Sequence, residues 1–431
     1  MKLSLLKRLA LCAAGCGTLA AADLSDVETR IAKAVDAGIG SSNLLLEKIV
    51  NINSGTLNPA GVRRVADVLR PEFESLGFAV RWIPMEEVRR AGHLVAERKG
   101  NNGRRVLLIG HMDTVFEPSS PFQKWERKGD IATGPGSCDM KGGLMVILYA
   151  LKALRAAGGL DGRTITVFLT GDEEKPGEPL AIARRDLVEA AKNHDVALEF
   201  EAGSFTNGHD FATIARRSSS TWQLRATANT GHSAGIFNPS VGSGAVYELA
   251  RILAAFYDRL QEPDLTFNAS LVLGGSAVEY NSKENTGTAS GKVNIIPGTA
   301  VASGDIRTIG DEQLQRTREK MREIVARHLP GTNASIEFED GYPSMPATAG
   351  NRKLLDLLNA VNRDLGFETM DPLPAARRGA GDLSFAGPYL DALSGLGAVG
   401  HGAHAPGETI DLTRQPIQMK RTAVLIYRLT R

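Results

Sequence analysis

The segment that decides the fold runs from Val106 to Gly143 and reads VLLIGHMDTVFEPSSPFQKWERKGDIATGPGSCDMKGG. Its first four residues are apolar and predict a buried strand. His111 and Asp113 follow that strand, and the turn-rich GPGSCD segment then presents Asp139. Because functional side chains are commonly placed at the ends of such elements, we expect these three residues to form one half of a metal site.

The composition sets the broad class of the protein. A chain of 431 residues is too long for one ordinary core, which predicts two domains. Charged residues at 23% and hydrophobic residues at 42% are typical of a soluble globular protein. The nearly balanced charge gives no indication of binding to nucleic acid or to an anionic membrane.

Residues 1–22 have the pattern of a signal peptide. Three basic residues, Lys2, Lys7 and Arg8, precede an apolar stretch that ends in three alanines. The stretch is shorter than the roughly 20 residues of a membrane-spanning helix, and no later segment is longer and free of charge. We therefore expect cleavage, export and a periplasmic location, with a lipid-modified Cys16 as the alternative.

Cysteine usage limits the covalent cross-links that the mature chain can form. Cys138 is the only cysteine after residue 22, so an exported mature chain has no internal disulfide. We expect Cys138 to pack in the interior, the less favoured interpretation being a catalytic nucleophile.

Strands and helices alternate along the first half of the chain. This βαβ pattern predicts a sheet covered by helices, with functional groups at the carboxyl ends of its strands. Strands are predicted at 78–83, 93–98, 105–110 and 164–170, and helices at 24–46, 61–76 and 144–157.

The pattern changes after Arg217. Strands at 221–229, 266–273, 288–296, 300–307 and 334–339 surround helices at 242–260 and 311–328, which predicts a small α+β unit. We expect this unit, residues 218–340, to be inserted into a discontinuous domain made of residues 23–217 and 341–431. Helices near 352–365 and at 415–429 complete that domain.

Several histidines and carboxylates are candidate zinc ligands, since thiolates are scarce here and two neighbouring zinc ions need a bridging carboxylate. The candidates are His111, Asp139, Glu174, Glu199 or Glu201, and His401 or His404. Asp113 lies two residues after His111 and can accept the second N–H of its imidazole.

Glu173 and Glu174 follow the predicted strand at 164–170. Adjacent side chains of an extended segment point to opposite sides, so one carboxylate can bind metal while the other faces the substrate. A carboxylate that faces metal-activated water is suited to act as general base. The alternative is a solvated acidic turn.

Five segments occur in one order between residues 111 and 411: HMDTV, GPGSCDMKGG, GDEE, a later FE, and GxGxHxPxExxD at 400–411. In this the chain resembles, over roughly residues 45–425, the M20 family of zinc peptidases and deacylases, and within it the glutamate carboxypeptidase branch. The resemblance implies an α/β zinc-peptidase domain with a mixed, helix-covered sheet. The inserted unit then corresponds to the family's lid or dimerisation domain, an α+β sandwich.

The resemblance also implies roles for single residues. Asp139 would bridge two zinc ions, His111 and Glu201 completing one site, Glu174 and His404 the other. Glu173 would be the general base and Asp113 the carboxylate that orients the imidazole. In the inserted unit, His232 of TGHSAG would reach the partner subunit's active site, while Asn294 of VNIIP and Arg307 of DIRT would hold the substrate near its carboxylate.

The chain departs from the branch in one segment. Close relatives carry a further arginine just after the lid, where this chain reads GYPSMPAT. Glutamate specificity therefore does not follow from the resemblance. Arg377 and Arg378, ahead of GAGD, are candidates to replace that arginine.

The function expected from these observations is an exported two-zinc hydrolase, with cobalt or manganese as alternative metals. It would cleave an amide bond next to a free carboxylate in a peptide or N-acyl amino acid, using metal-bound hydroxide and Glu173 as base. Alternatives are a deacylase or a di- or aminopeptidase of the same family, or a zinc-dependent binding protein without catalysis. A homodimer formed through the inserted unit is expected.

Overall fold

A mixed six-stranded sheet forms the centre of the protein. The computed structural model describes residues 24–431, so the predicted signal peptide lies outside the described residues. The strands lie in the order Ala79–Met85, Arg90–Arg98, Arg163–Thr170, Asn102–His111, Val196–Glu199 and Asp391–Leu393. The last four are parallel to one another and the first two are antiparallel to their neighbours. The predicted α/β class is confirmed.

Strand Asn102–His111 lies in the interior of the sheet, and both of its faces are buried, which explains its uninterrupted apolar run. Val106 and Leu108 pack into the larger hydrophobic cluster, and Leu107 and Ile109 pack into a smaller cluster on the opposite face. Helices cover the two faces: Asp26–Val50, Pro59–Ser75, Lys141–Ala156, Ala349–Asp364 and Gln415–Leu429 on the first, with Leu180–Ala183, Arg185–Lys192 and Leu383–Ala386 on the second.

Two small sheets extend from this layered body. One contains the strands Ser204–Thr206, His209–Ala212 and Asp371–Pro372. The other contains Glu126–Lys128, Ile131–Thr133, Gly400–His401 and Thr409–Asp411. In the second sheet Thr409 pairs with Thr133, which brings the 402–408 loop beside the GPGSCD segment.

The inserted unit has a five-stranded sheet and its own hydrophobic cluster. Its strands are Ser220–Ala228, Thr266–Phe267, Leu271–Gly275, Thr299–Arg307 and Thr332–Asp340. Helices Ala245–Arg259 and Asp311–Val325 pack on the face that carries Trp222, Leu224 and Ala226. The chain enters and leaves this unit by adjacent connections, where the Ser219 N–H donates to the Tyr342 carbonyl at 2.8 Å.

Two predicted strands of the inserted unit are wrong in detail. The segment 266–273 is broken into two strands, and 288–296 ends at Ser290 as the second strand of a hairpin, Ala277–Asn281 with Thr286–Ser290. The turn NSKEN signals this hairpin, because Asn281 Oδ1 accepts the Lys283 N–H and Asn285 adopts a positive φ of 49°. Residues 24–431 contain no helix that is long and apolar enough to cross a membrane.

Candidate metal centre

Five of the predicted residues meet in two groups that share Asp139. In the first group, His111 Nε2 lies 3.2 Å from Asp139 Oδ1 and 3.5 Å from Glu201 Oε1. In the second, His404 Nε2 lies 3.2 Å from Asp139 Oδ2 and 3.0 Å from Glu174 Oε2. Asp139 therefore presents one carboxylate oxygen to each group, which is the arrangement that a bridging ligand requires.

The donor set fits two divalent ions. The ligand atoms of each group lie within 4.8 Å of one another. Tetrahedral zinc with bonds near 2.0–2.1 Å places its ligand atoms roughly 3.3 Å apart, close to these separations. Glu174 Oε1 is buried without a hydrogen-bond partner among the described residues. With Glu173, the groups hold four carboxylates, whose formal charge two divalent cations would match.

His111 is fixed by the strand that precedes it and by Asp113. Its Nδ1 lies 3.1 Å from the Asp113 carbonyl oxygen and 3.4 Å from Asp113 Oδ1. The carboxylate also accepts the Thr56 hydroxyl at 2.6 Å and the N–H groups of Glu173 and Glu174, both at 3.1 Å. Asp113 thus joins the imidazole to the acidic loop, a second task that the sequence analysis did not foresee.

Asp139 is positioned by Glu408, which the sequence analysis missed. The buried Glu408 carboxylate accepts backbone N–H groups from Gly136 at 3.0 Å, Cys138 at 2.7 Å and Asp139 at 2.9 Å. Burial raises the pKa of Glu408 to about 7, against the lowering effect of these donors. Only the pattern GxGxHxPxExxD pointed to this residue. Glu408 is the glutamate of that pattern, and the sequence analysis gave it no role.

The KGG run after Asp139 permits a close approach of two segments. The peptide bond between Asp139 and Met140 is cis, and the buried helix Lys141–Ala156 begins directly after it. A Cβ atom on Gly143 would lie 2.1 Å from the Phe200 carbonyl oxygen. Glycine is therefore needed at position 143 for the helix to start beside the segment that carries Glu201.

The structure shows that Glu199 and Glu201 have different contacts, a distinction that the strand pattern could not make. Glu199 pairs with Arg216, accepts the Ser394 hydroxyl at 2.5 Å and accepts the Leu383 N–H at 2.7 Å. Its bonding capacity is therefore used within the protein. Glu201, two residues beyond the strand end, faces His111 instead.

Carboxylates lie close to both histidines and shift their pKa values. Burial opposes protonation of His111, but Asp113, Asp139 and Glu201 outweigh it and raise its pKa. Asp139 and Glu174 raise the pKa of His404 to about 11. Burial opposes ionisation of Asp139, yet the two histidines lower its pKa. Cations are thus favoured between these side chains.

Glu173 lies beside the two groups but belongs to neither. Glu173 is half-buried, and burial followed by the charge of Glu201 raises the pKa of its carboxylate well above the ordinary range. Because Glu173 belongs to neither ligand group, its carboxylate is available to face a metal-activated water, as a general base requires.

The three predicted residues of the inserted unit lie at two ends of one strand. His232 and Asn294 are neighbours, because the Ser233 N–H donates to the Asn294 carbonyl at 2.9 Å. They stand near the start of strand Thr299–Arg307, whereas Arg307 ends it. The Arg307 Nε donates to Asp305 at 2.9 Å, and its carbonyl accepts from Arg217 at 3.1 Å.

The remaining candidates have structural contacts. Arg377 donates to the hydroxyls of Ser204 and Thr206, each at 2.9 Å, and Arg378 Nε donates to the Leu373 carbonyl at 2.7 Å. Cys138 is buried, and its pKa is raised by burial and by Asp139, so it lacks the thiolate character of a nucleophile.

Comparison with known proteins identifies the family. The model of peptidase family M20/M25/M40 matches residues 107–429. The chain belongs to this family. Carboxypeptidase G2 of Pseudomonas sp. (strain RS-16) is 29% identical to this M20 protein over 392 residues, 88% of this chain and 87% of the relative. A succinyl-diaminopimelate desuccinylase of Novosphingobium aromaticivorans is 28% identical over 79% of this chain and 86% of its own length.

Solved structures show the same fold. Aminopeptidase PepT of Bacillus cereus superposes with a TM-score of 0.71 at 16% identity, covering 91% of this chain and 98% of that one. An M20 metallo-carboxypeptidase of Sulfolobus solfataricus gives a TM-score of 0.63 at 18% identity, covering 90% and 98%. The predicted resemblance is confirmed, and the protein is a metal-dependent M20 hydrolase.

Proposed function

We propose that this M20 protein is an exported two-zinc hydrolase that cleaves an amide bond next to a free carboxylate. The observation that carries the proposal is the placement of Asp139, with one oxygen toward His111 and Glu201 and the other toward His404 and Glu174. Such a shared carboxylate is characteristic of two-metal sites that perform hydrolysis.

Each residue has a defined task in this proposal. His111 and Glu201 would hold one ion, Glu174 and His404 the other, and Asp139 both. When bound, the ions would lower the pKa of water and polarise the scissile carbonyl. Glu173, which belongs to neither ligand group, takes the proton from the attacking water and delivers it to the leaving amine. The Asp113 carboxylate keeps Glu173 in place by accepting the backbone N–H of Glu173.

A substrate of this class needs a group that binds its carboxylate, and Arg307 is the candidate. Arg307 is partly exposed, and its guanidinium can bind a carboxylate through two parallel hydrogen bonds. The relatives are named a carboxypeptidase and a desuccinylase, and both names imply a substrate with a carboxylate near the scissile amide. The segment GYPSMPAT offers no arginine, so a preference for glutamate does not follow from it.

A homodimer would complete the site. Strand Thr299–Arg307 has nine residues, so its two ends, near which Arg307 and the His232–Asn294 pair lie, are eight steps or roughly 27 Å apart at about 3.4 Å per residue. One metal centre cannot contact both ends of the strand from the same subunit. We therefore assign Arg307 to its own subunit's site, and His232 with Asn294 to the partner's site, where His232 would stabilise the oxyanion.

An exposed apolar surface supports dimerisation through the inserted unit. Val246, Tyr247 and Tyr257 are exposed on helix Ala245–Arg259, and Val272 is exposed on the neighbouring strand Leu271–Gly275. The helix and strand are in contact, since a Cβ atom on Gly274 would lie 2.7 Å from Val246. Exposed apolar side chains on two neighbouring elements are typical of an interface.

A substrate panel tests the proposed activity. Purified mature protein loaded with zinc would be given N-acyl amino acids, peptides with C-terminal glutamate and dipeptides with free amines. We expect turnover of the first two classes and none after Glu173→Gln, with metal content unchanged. Selective hydrolysis of free-amine dipeptides would favour an aminopeptidase. Metal binding without hydrolysis of any substrate would favour a binding protein.

Subunit mixing tests the dimer. Neither His232→Ala nor Glu173→Gln homodimers should turn over substrate efficiently. Heterodimers verified by two affinity tags should regain activity, because one of their two sites has both residues intact. Absence of recovery would contradict the role of His232 in the partner's site.

Export is tested by the mass of the protein recovered from the periplasmic fraction. We expect a chain that begins after Ala22. A mass that includes lipid on Cys16 would instead identify a lipoprotein.

A further inference from the structure

Behind the loop that carries Glu173 lies a buried charged network centred on Arg184. Arg184 is among the largest fully buried side chains of residues 24–431. Its Nε donates to Asp382 and one terminal nitrogen to Asp172, both at 2.7 Å, while the other terminal nitrogen donates to the Tyr342 hydroxyl at 2.7 Å. Asp172 is the residue directly before Glu173.

The direction of the hydrogen bonds can be deduced from the chemistry of the donors. A guanidinium only donates, so the Tyr342 oxygen must accept from Arg184. The single hydroxyl proton of Tyr342 then points elsewhere. Its nearer acceptor is the carbonyl oxygen of Glu173 at 2.9 Å, and Asp382 Oδ1 is farther away at 3.3 Å. The network therefore ends as a chain of donors that runs from Arg184 through Tyr342 to the backbone of Glu173.

Tyr342 belongs to the connection between the two parts of the protein. It follows the last strand of the inserted unit, which ends at Asp340, and its carbonyl accepts the N–H of Ser219 in the other connection. A Cβ atom on Gly341 would lie 2.2 Å from the Ser219 carbonyl oxygen, so the two connections are tightly packed. The tyrosine ring also packs edge-on against Phe385, with centroids 5.1 Å apart.

The peptide groups that flank the Glu173 side chain are consequently held from opposite sides. The N–H donates to Asp113 on the metal side, and the carbonyl accepts from Tyr342 on the side of the connections. We propose that Tyr342 is a positioning residue, which aligns Glu173 with the metal centre and makes that alignment depend on the junction with the inserted unit. This inference rests on the proposed role of Glu173 as general base.

Tyr342→Phe tests the inference, because it removes only the hydroxyl. We expect kcat to fall about tenfold, as for the loss of one hydrogen bond that matters in the transition state. KM on the best substrate of the panel should stay within about twofold, and the metal content should be unchanged, since Tyr342 contacts neither substrate nor ligand in this account.

Thr170→Val is the matched control. The Thr170 hydroxyl donates to Asp382 at 2.7 Å, so the change removes a hydrogen bond from the same network without touching the Glu173 carbonyl. We expect Thr170→Val and Tyr342→Phe to lower Tm by similar amounts, but Thr170→Val to leave kcat unchanged.

A wild-type kcat for Tyr342→Phe would overturn the inference, as would equal kcat losses in both variants. Activity of Glu173→Gln would overturn the proposed function and this inference together, whereas inactive Glu173→Gln with fully active Tyr342→Phe would overturn the inference alone.

Discussion

The two halves of the metal centre are built from different kinds of structure. His111 ends a buried central strand, its side chain is 1% exposed, and Asp113 fixes its ring. His404 lies in a loop with a positive φ of 66°, and its side chain is 58% exposed. Asp139 is common to both halves. One half is thus preformed by the core of the fold, whereas the other depends on a surface loop.

The difference predicts unequal binding of the two ions. A preformed site loses little conformational entropy when it binds, whereas an exposed loop must be ordered by its ligand. A left-handed backbone at a residue other than glycine is itself costly and must be held by its surroundings. We expect the ion between Glu174 and His404 to exchange first and the ion beside His111 to be retained.

The largest expected effect comes from removing what the halves share. Asp139→Asn should reduce the metal content from two ions per chain toward none and lower kcat/KM by several orders of magnitude, because both ions lose a charged ligand. Metal analysis after gel filtration and steady-state kinetics measure both quantities. Retention of one tightly bound ion would show that the halves are independent.

Separate removal of the two histidines distinguishes the halves directly. His404→Ala should keep one ion and nearly the wild-type Tm, since its side chain is largely exposed. His111→Ala should lose the other ion and also lower Tm, because it leaves buried carboxylates unpaired. Equal metal affinities and equal Tm values for the two variants would contradict the proposed asymmetry.

A smaller effect on the metals is expected at Glu408. Glu408→Gln has nearly the same shape but fewer acceptor sites for the three N–H groups of the GPGSCD loop. Affinity for both ions should fall roughly 10–100-fold, as for other residues that orient ligands. Glu337→Gln, at an exposed position of the inserted unit, is the control. Calorimetric titration of the metal-free proteins would measure the change, and wild-type affinity in Glu408→Gln would contradict it.

The smallest effect on metal binding is expected at Glu199. Glu199→Gln breaks the buried pair with Arg216, which should lower the free energy of unfolding by about 3 kcal/mol or more. Both ions should still bind, because Glu201 is the residue that faces His111. Denaturant unfolding and metal analysis test the two parts, and loss of an ion would reverse the choice between the glutamates.

Local patterns were sufficient to predict most of the fold, whereas the choice of Glu201 and His404 among the candidate ligands came from the resemblance to the M20 family. The buried strand, the helix after Asp139 and the closing helix Gln415–Leu429 follow from apolar runs and their spacing. His111 and Asp139 could be proposed as ligands because they stand where such runs end.

Other features depend on partners that are distant in sequence. Glu199 and Glu201 share one strand pattern, and the physical difference between them lies in the contacts of Glu199 with Arg216 and Ser394. Glu408 reaches the GPGSCD loop across some 270 residues. The bond from Tyr342 to the Glu173 carbonyl spans 169 residues. Periodicity carries no information about contacts of this kind.

Crystallography at the zinc absorption edge tests the central claim most directly. For wild-type protein loaded with zinc, we predict two anomalous peaks per subunit on either side of the Asp139 carboxylate, about 3.5–4 Å apart. One peak should contact His111 and Glu201, and the other Glu174 and His404. A single peak, or a second peak that lacks Asp139 as a ligand, would contradict the account.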